Sequence, residues 1–354
     1  MKLNLLKEHK LPTGVLGFAL GPDGGTGFAA CADGSVHRVD LATGSAEAFQ
    51  TRHDSYASGC VVLPDGGVVI SGGYDGRLLW HEVATGRSWR QVTAHKFWSW
   101  QLALSPDGRR VASCTGQYLP GGWKYEPAAE TEPSVTVHDT MTGERVAAFS
   151  HEPPVLSCAF SPDGRHLAAA NMLGEVRVWD THPAASREPV SKWTTLDFTS
   201  WGSIKTHHYC GGIYGLAFAP DGTSLVGCGM GPMADPMAGN GKMTWQRWDW
   251  RTGERLAQIR DGQHGSGLME AVAWHPDGRH FVMAGRQAQG TWNAALFGVE
   301  AGALVHSTDT KKRITQARFS ADGKRLILAG ANGQPQRKDG AWPSWGRIQI
   351  YEVG

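Results

Sequence analysis

Charge of one sign is missing from this chain. Its 34 Lys and Arg are matched by 33 Asp and Glu, leaving a formal charge of +1. No net field therefore draws it to nucleic acid or to an anionic membrane. No run of Lys and Arg exceeds three residues, the densest being Lys311-Lys312-Arg313. Long apolar runs are missing too: nothing approaches the ~18 residues that a membrane helix needs. The opening MKLNLLKEHKLPTG is broken by charges before a secretory core can form. Cysteine is scarce, and the six (31, 60, 114, 158, 210, 228) lie mostly in apolar stretches at irregular spacing. Such placement suits buried reduced thiols rather than a disulfide framework. There is no GxSxG elbow, no Walker loop and no HExxH. These absences predict a soluble, cytoplasmic chain with no cofactor, no nucleic-acid partner and no membrane contact.

What is abundant is turn chemistry. With 47 Gly and 18 Pro, the chain is punctuated throughout. The tripeptide PDG, once ADG, occurs seven times, with its Asp at 23, 65, 107, 163, 221, 277 and 322. Each copy separates two apolar runs, as in VLSCAFSPDGRHLAAAN, and Asp-Gly between such runs predicts a hairpin because Gly accepts the positive φ of the turn. A third run follows, such as EVRVWD at 175–180. In five units a second Gly turn comes next, as ATG at 42–44 and 84–86, MTG at 141–143, RTG at 251–253 and EAG at 300–302. A fourth, more polar run completes four strands in about 42 residues, the period of a propeller blade.

At this point the whole chain resembles the WD-repeat (WD40) family. The Trp-Asp signature stands at Trp179-Asp180 and Trp248-Asp249, and it relaxes to pairs such as His81-Glu82 and His138-Asp139. The family's upstream His recurs 12 to 14 residues before a turn Asp, as His9, His53, His95, His151, His207 or His208, and His264. Thr310 stands there in the seventh unit. The resemblance implies an all-β, seven-bladed β-propeller of four-stranded antiparallel blades, forming a single domain over 1–354. The last unit ends at its third strand while a spare run opens the chain, so the strand at 2–9 is expected to close blade 7 and leave no open edge. It also implies a stand-alone bacterial-type member that scaffolds protein contacts as a monomer.

Successive turn Asp residues are 42, 42, 56, 58, 56 and 45 apart. The surplus falls in the loops 115–133, 196–212, 229–245 and 331–345, with a smaller one at Arg286–Trp292. In a four-stranded meander the second-to-third turn and the link to the next blade share one end, so every insert lands on one rim. Loops on a rigid scaffold concentrate binding residues, and these are rich in aromatics and Met, which suit a protein, a peptide or a sugar face. The expected partner-binding residues are Trp98, Tyr118, Trp123, Tyr125, Trp201, Tyr209, Met233, Met237, Arg286, Arg337, Trp342 and Trp345. Recurrence of Trp245, Trp292 and Trp345 near the start of third strands equally suits packing between loops. The basic residues Arg286, Lys311, Lys312, Arg313, Arg337 and Lys338 fall on the same rim and would suit an acidic or phosphorylated partner.

The leading expectation is thus a noncatalytic protein-interaction or scaffold module that binds at the loop-rich channel mouth. The alternative is an enzyme, hydrolase- or lactonase-like, or a metal-dependent binder at that mouth. His207, His208 and Cys210 beside the Met-rich insert would supply soft-metal ligands. Carboxylates at Asp235 and Asp339, or at Glu126 and Glu130, would supply a hydrolytic pair. The matched register of the upstream His residues favours structural hydrogen bonds within the blades over a ring of ligands.

Overall fold

The computed structural model describes residues 1–116, 130–198, 211–231, 241–259, 265–300, 302–333 and 344–354. Seven four-stranded antiparallel sheets make up the fold. Their first strands are Val15–Leu20, Ala57–Val62, Ser99–Leu104, Val155–Phe160, Gly212–Phe218, Ser266–Trp274 and Arg313–Phe319. Each first strand packs against that of the next blade, and the seventh packs against the first. The sheets therefore stand around a central channel as a propeller. No helix among the described residues is long and apolar enough to cross a membrane.

The turn glycines do what their spacing requires. At the seven PDG or ADG turns, Gly24, Gly66, Gly108, Gly164, Gly222, Gly278 and Gly323 take φ between 62° and 74°, a region costly for any side chain with a Cβ. The Asp carboxylate accepts amides just beyond it, as Asp65 does from Gly67 N at 2.9 Å. The turns are therefore locally self-sufficient and short.

The core is distributed. Seven hydrophobic clusters occupy the seven seams between neighbouring blades, because alternating strand residues face the blade on either side. Trp179 and Trp248 of the signature pairs are buried in two of these seams.

Ring closure follows the expected one-plus-three plan. Leu3–Leu11 pairs antiparallel with Gly346–Val353, from Leu3 opposite Val353 to Leu11 opposite Gly346. Leu3 and Leu11 are buried in the seams on either side of blade 7. On the same strand, Glu8 accepts from Gln349 Nε2 at 2.7 Å and lies 3.3 Å from Arg347 Nε.

Two inserts begin later than the spacing suggests. Arg286–Gln289 is strand, not loop: the second strand of blade 6, His280–Gln289, pairs with its long first strand out to Ser266 opposite Gln289. Likewise Met230 pairs with Met243 and Cys228 with Trp245 in blade 5. Both methionines and Trp245 are buried, so the ends of the Met-rich stretch extend the blade.

His9 also departs from the expected register. It lies within the closing strand opposite Ile348, so its ring turns to the neighbouring blade and Nε2 meets Leu41 O at 2.9 Å.

Candidate functional site

Two groups of upstream residues show how the loop-side rim is braced. In blade 2, His53 Nδ1 meets Asp75 Oδ1 at 2.9 Å and its Nε2 meets Ser71 Oγ at 2.9 Å. Ser71 Oγ continues to His81 Nε2 at 2.8 Å. Asp75 also accepts from Arg77 Nη2 at 2.6 Å and from the Asp54 amide at 3.0 Å. Burial alone would raise the Asp75 pKa, but the His53 hydrogen bond and charge, then Arg77, hold it well below the usual carboxylate range. Burial pushes the pKa of His81 down to about 3.

Blade 3 has no such Asp. His95 Nε2 meets Ser113 Oγ at 3.0 Å, and burial, followed by the charge of His138, pushes its pKa to about 3. In blade 4 the His151 ring nitrogens reach no side chain, while the ring lies edge-on to Trp179 with centroids 5.9 Å apart. His53 and His95 thus make hydrogen bonds inside their blades, as their register implies. These histidines are buried and brace their blades.

Above the braces lies an aromatic stack. Tyr74, just before the Asp75-Gly76 turn, stacks on Trp98 with centroids 4.8 Å apart and planes 8° apart. Tyr56 lies 5.4 Å from Tyr74 on one side and Trp100 lies 5.6 Å from it on another. Glu132 holds the strand-to-strand link in place, accepting the Lys96 amide at 2.9 Å and the Phe97 amide at 3.3 Å. That grip presents Trp98, which is 37% exposed, and Tyr56 is 50% exposed. Three loops from two blades thus place one apolar ledge beside the channel.

The ledge borders the loop-side end of the channel, where the passage narrows to a neck of about 70 Å³ lined by Tyr74, Trp100, Tyr214, Glu270 and Arg313. Arg313 donates two parallel hydrogen bonds to Glu270, Nε to Oε2 at 2.7 Å and Nη2 to Oε1 at 2.6 Å. The Glu270 charge raises the Arg313 pKa above its ordinary value. A carboxylate clamped in this way is a poor base or nucleophile.

The remaining expected residues separate by environment. Arg286, Lys311, Lys312 and Arg313 come together around a recess of about 350 Å³ between blades 6 and 7. Acids are built into it: Lys311 Nζ lies 2.5 Å from Asp309, and Lys312 Nζ lies 3.8 Å from Glu8. Trp345, expected at the binding face, is 6% exposed, and its Nε1 donates to Gly333 O at 3.1 Å. Like Trp245 and Trp292 it is buried, which suits the packing role that its position also suggested. The third strand of blade 7 starts at the next residue, Gly346. In blade 3, Glu130 ties the start of the third strand to the link into blade 4, accepting Ser134 N at 2.8 Å and His151 N at 3.1 Å.

Tyr118, Trp123, Tyr125, Trp201, Tyr209, Met233, Met237, Arg337 and Trp342 lie outside the described residues, as do His207, His208 and Cys210. Among the described residues no three His, Cys, Asp or Glu side chains form a metal-binding group. The other five cysteines are free and buried. Tyr56, Tyr74 and Phe97 escaped the sequence reading because they lie in short connections, whereas attention fell on the long ones. The signal for Tyr74 was its position directly before a turn on the loop-bearing end.

Residues 143–180 match the family model for the WD domain, G-beta repeat. That window runs from the last strand of one blade through three strands of the next, the same offset by which the closing strand completes blade 7. Seven blades, this matched repeat and the one-plus-three closure together make the chain a WD40-type β-propeller, a fold that commonly serves as a protein-interaction scaffold.

Proposed function

We propose that this propeller is a noncatalytic interaction module that binds a protein or peptide on its loop-rich face, at the mouth of the channel. The observation that carries the reading is the half-exposed aromatic stack of Tyr56, Tyr74 and Trp98 on a braced scaffold. Aromatics bury large areas with little rotamer loss and dominate protein interfaces. The recess at Arg286, Lys311 and Lys312 lies on the same face and adds a polar border to such a contact. Trp123, Tyr125, Trp342 and Arg337 belong to this proposal by their place in the sequence. The free, buried cysteines favour a reducing, cytoplasmic setting.

The test pairs affinity capture with a surface variant. Tyr56→Ser with Trp98→Ser removes exposed ring area, and the doubly substituted chain should melt within about 3 °C of the parent. Partners captured by the parent and lost by this folded variant establish the face. An unchanged list of captured proteins from both baits removes the ledge from the binding surface.

A further inference from the structure

The opposite end of the channel opens into a chamber of about 550 Å³, walled by the first strands of all seven blades near their short turns. One residue there breaks the internal symmetry of the molecule. The position four residues before each turn Asp is Ala19, Ala103, Ala159, Ala217 and Ala273 in five blades and Val61 in a sixth. In blade 7 it is Arg318. A small apolar side chain at this register leaves the channel open, and the repeat keeps it small everywhere else.

Among the described residues Arg318 has no acid: it takes part in no ion pair, and its one hydrogen bond there is from Nη1 to the adjacent Ala317 O at 2.8 Å. Glu270 and Cys60, which also line the chamber, are poor substitutes. Glu270 is already held by both branches of Arg313, and Cys60 is a buried thiol whose pKa is pushed up to about 12 by burial. Burial also pulls the Arg318 pKa downward, the mark of a charge taken partly out of water without compensation. An uncompensated guanidinium costs stability unless something else satisfies it.

The rest of the wall fits a small ligand. Gln101 accepts the Cys158 amide through Oε1 at 2.8 Å, which leaves its NH₂ group to donate. Val61, Leu104, Phe160 and Phe319 supply apolar surface. The volume is that of a pocket for a whole metabolite-sized molecule.

From the solitary cation, the recessed volume at the channel end and this mixed wall, we infer that the short-turn chamber is a binding site for a compact organic anion, a carboxylate or a phosphate ester, whose charged head is held by the Arg318 guanidinium. A guanidinium fork matches either head with two parallel hydrogen bonds. The site lies at the other end of the channel from the proposed partner face and does not depend on it.

Thermal shift with sodium phosphate and sodium benzoate, each at matched ionic strength, tests the inference on the full chain. The parent should gain about 4 °C, saturably, at a concentration near a hundredfold above Kd for at least one probe. The phosphate and benzoate arms distinguish the two head groups. Arg318→Ala restores the residue of the other blades, so it should fold, melt no lower than the parent without anion, and lose the shift. Arg318→Lys, which keeps the charge but not the fork, should weaken binding about tenfold. No saturable shift in the parent with either probe overturns the inference. So does an equal shift in Arg318→Ala, or a lower melting temperature of Arg318→Ala in anion-free buffer, which would make the arginine structural.

Discussion

The two ends of the channel carry the same kind of group in opposite circumstances. At the loop side, Arg313 is locked to Glu270, and Arg77 to Asp75, and the passage shrinks to a neck of about 70 Å³. At the short-turn side, Arg318 lines a chamber of about 550 Å³, and among the described residues its hydrogen bond goes to a backbone carbonyl and not to an acid. The cations Arg313 and Arg77 have been given acids within the fold. A cation left without one is a candidate for a partner from outside.

Three experiments probe that contrast, the largest effect first. Both ends depend on ring closure, so removing residues 1–9 should lower the melting temperature by more than about 10 °C, because it opens a sheet edge and strips the Leu3 contacts from a seam. Calorimetry reads this directly, and an unchanged melt would disprove the closure. Next, Glu270→Ala leaves Arg313 unpaired in the neck and should cost about 2–4 kcal/mol in urea unfolding. If it costs less than Arg318→Ala, the contrast between the two ends is inverted.

The smallest effect is in the acid limb of stability. His81 and His95 have folded pKa values pushed to about 3, below the ~6.5 of an unfolded His. The unfolded chain therefore binds protons that the native state does not, and stability is lost as pH falls from about 6.5 toward 3. Asp75, also depressed, contributes stability that is complete above about pH 4 and is lost as pH falls through its folded value. His95→Gln should cost about 1–2 kcal/mol at pH 7 for its buried hydrogen bond and flatten the upper part of the limb. Asp75→Asn should flatten only the part below about pH 4. Urea midpoints across pH 7 to 2.5 check both, and parallel curves for parent and variants would show that these braces do not set the acid sensitivity.

Much of this architecture is written locally. A turn Asp that accepts nearby amides and a Gly at positive φ need no distant partner, so the seven PDG-type turns and the blade period are legible residue by residue. The offset between repeat and blade was legible too, as an unfinished last unit and a spare first strand. Of the upstream His residues, His53 and His95 make the bonds their register implies, whereas His151, in an equally short connection, makes none to a side chain. His9 misled because strand pairing, not spacing, sets where its ring points. Trp345 could be read either way from its spacing, and its burial is visible only in the folded chain.

The candidate site is the least local feature. The ledge joins Tyr56, Tyr74 and Trp98 from separate connections, and the neck pair joins residues 43 positions apart. By itself, the sequence determined the number of blades and their turns, because those follow from backbone conformation and a short repeat. Only the tertiary structure decided which aromatics stay exposed, which charges find a counterion and that Arg318 faces a chamber without one. Exposure and pairing depend on side chains brought together from blades remote along the chain, and no local pattern encodes that meeting.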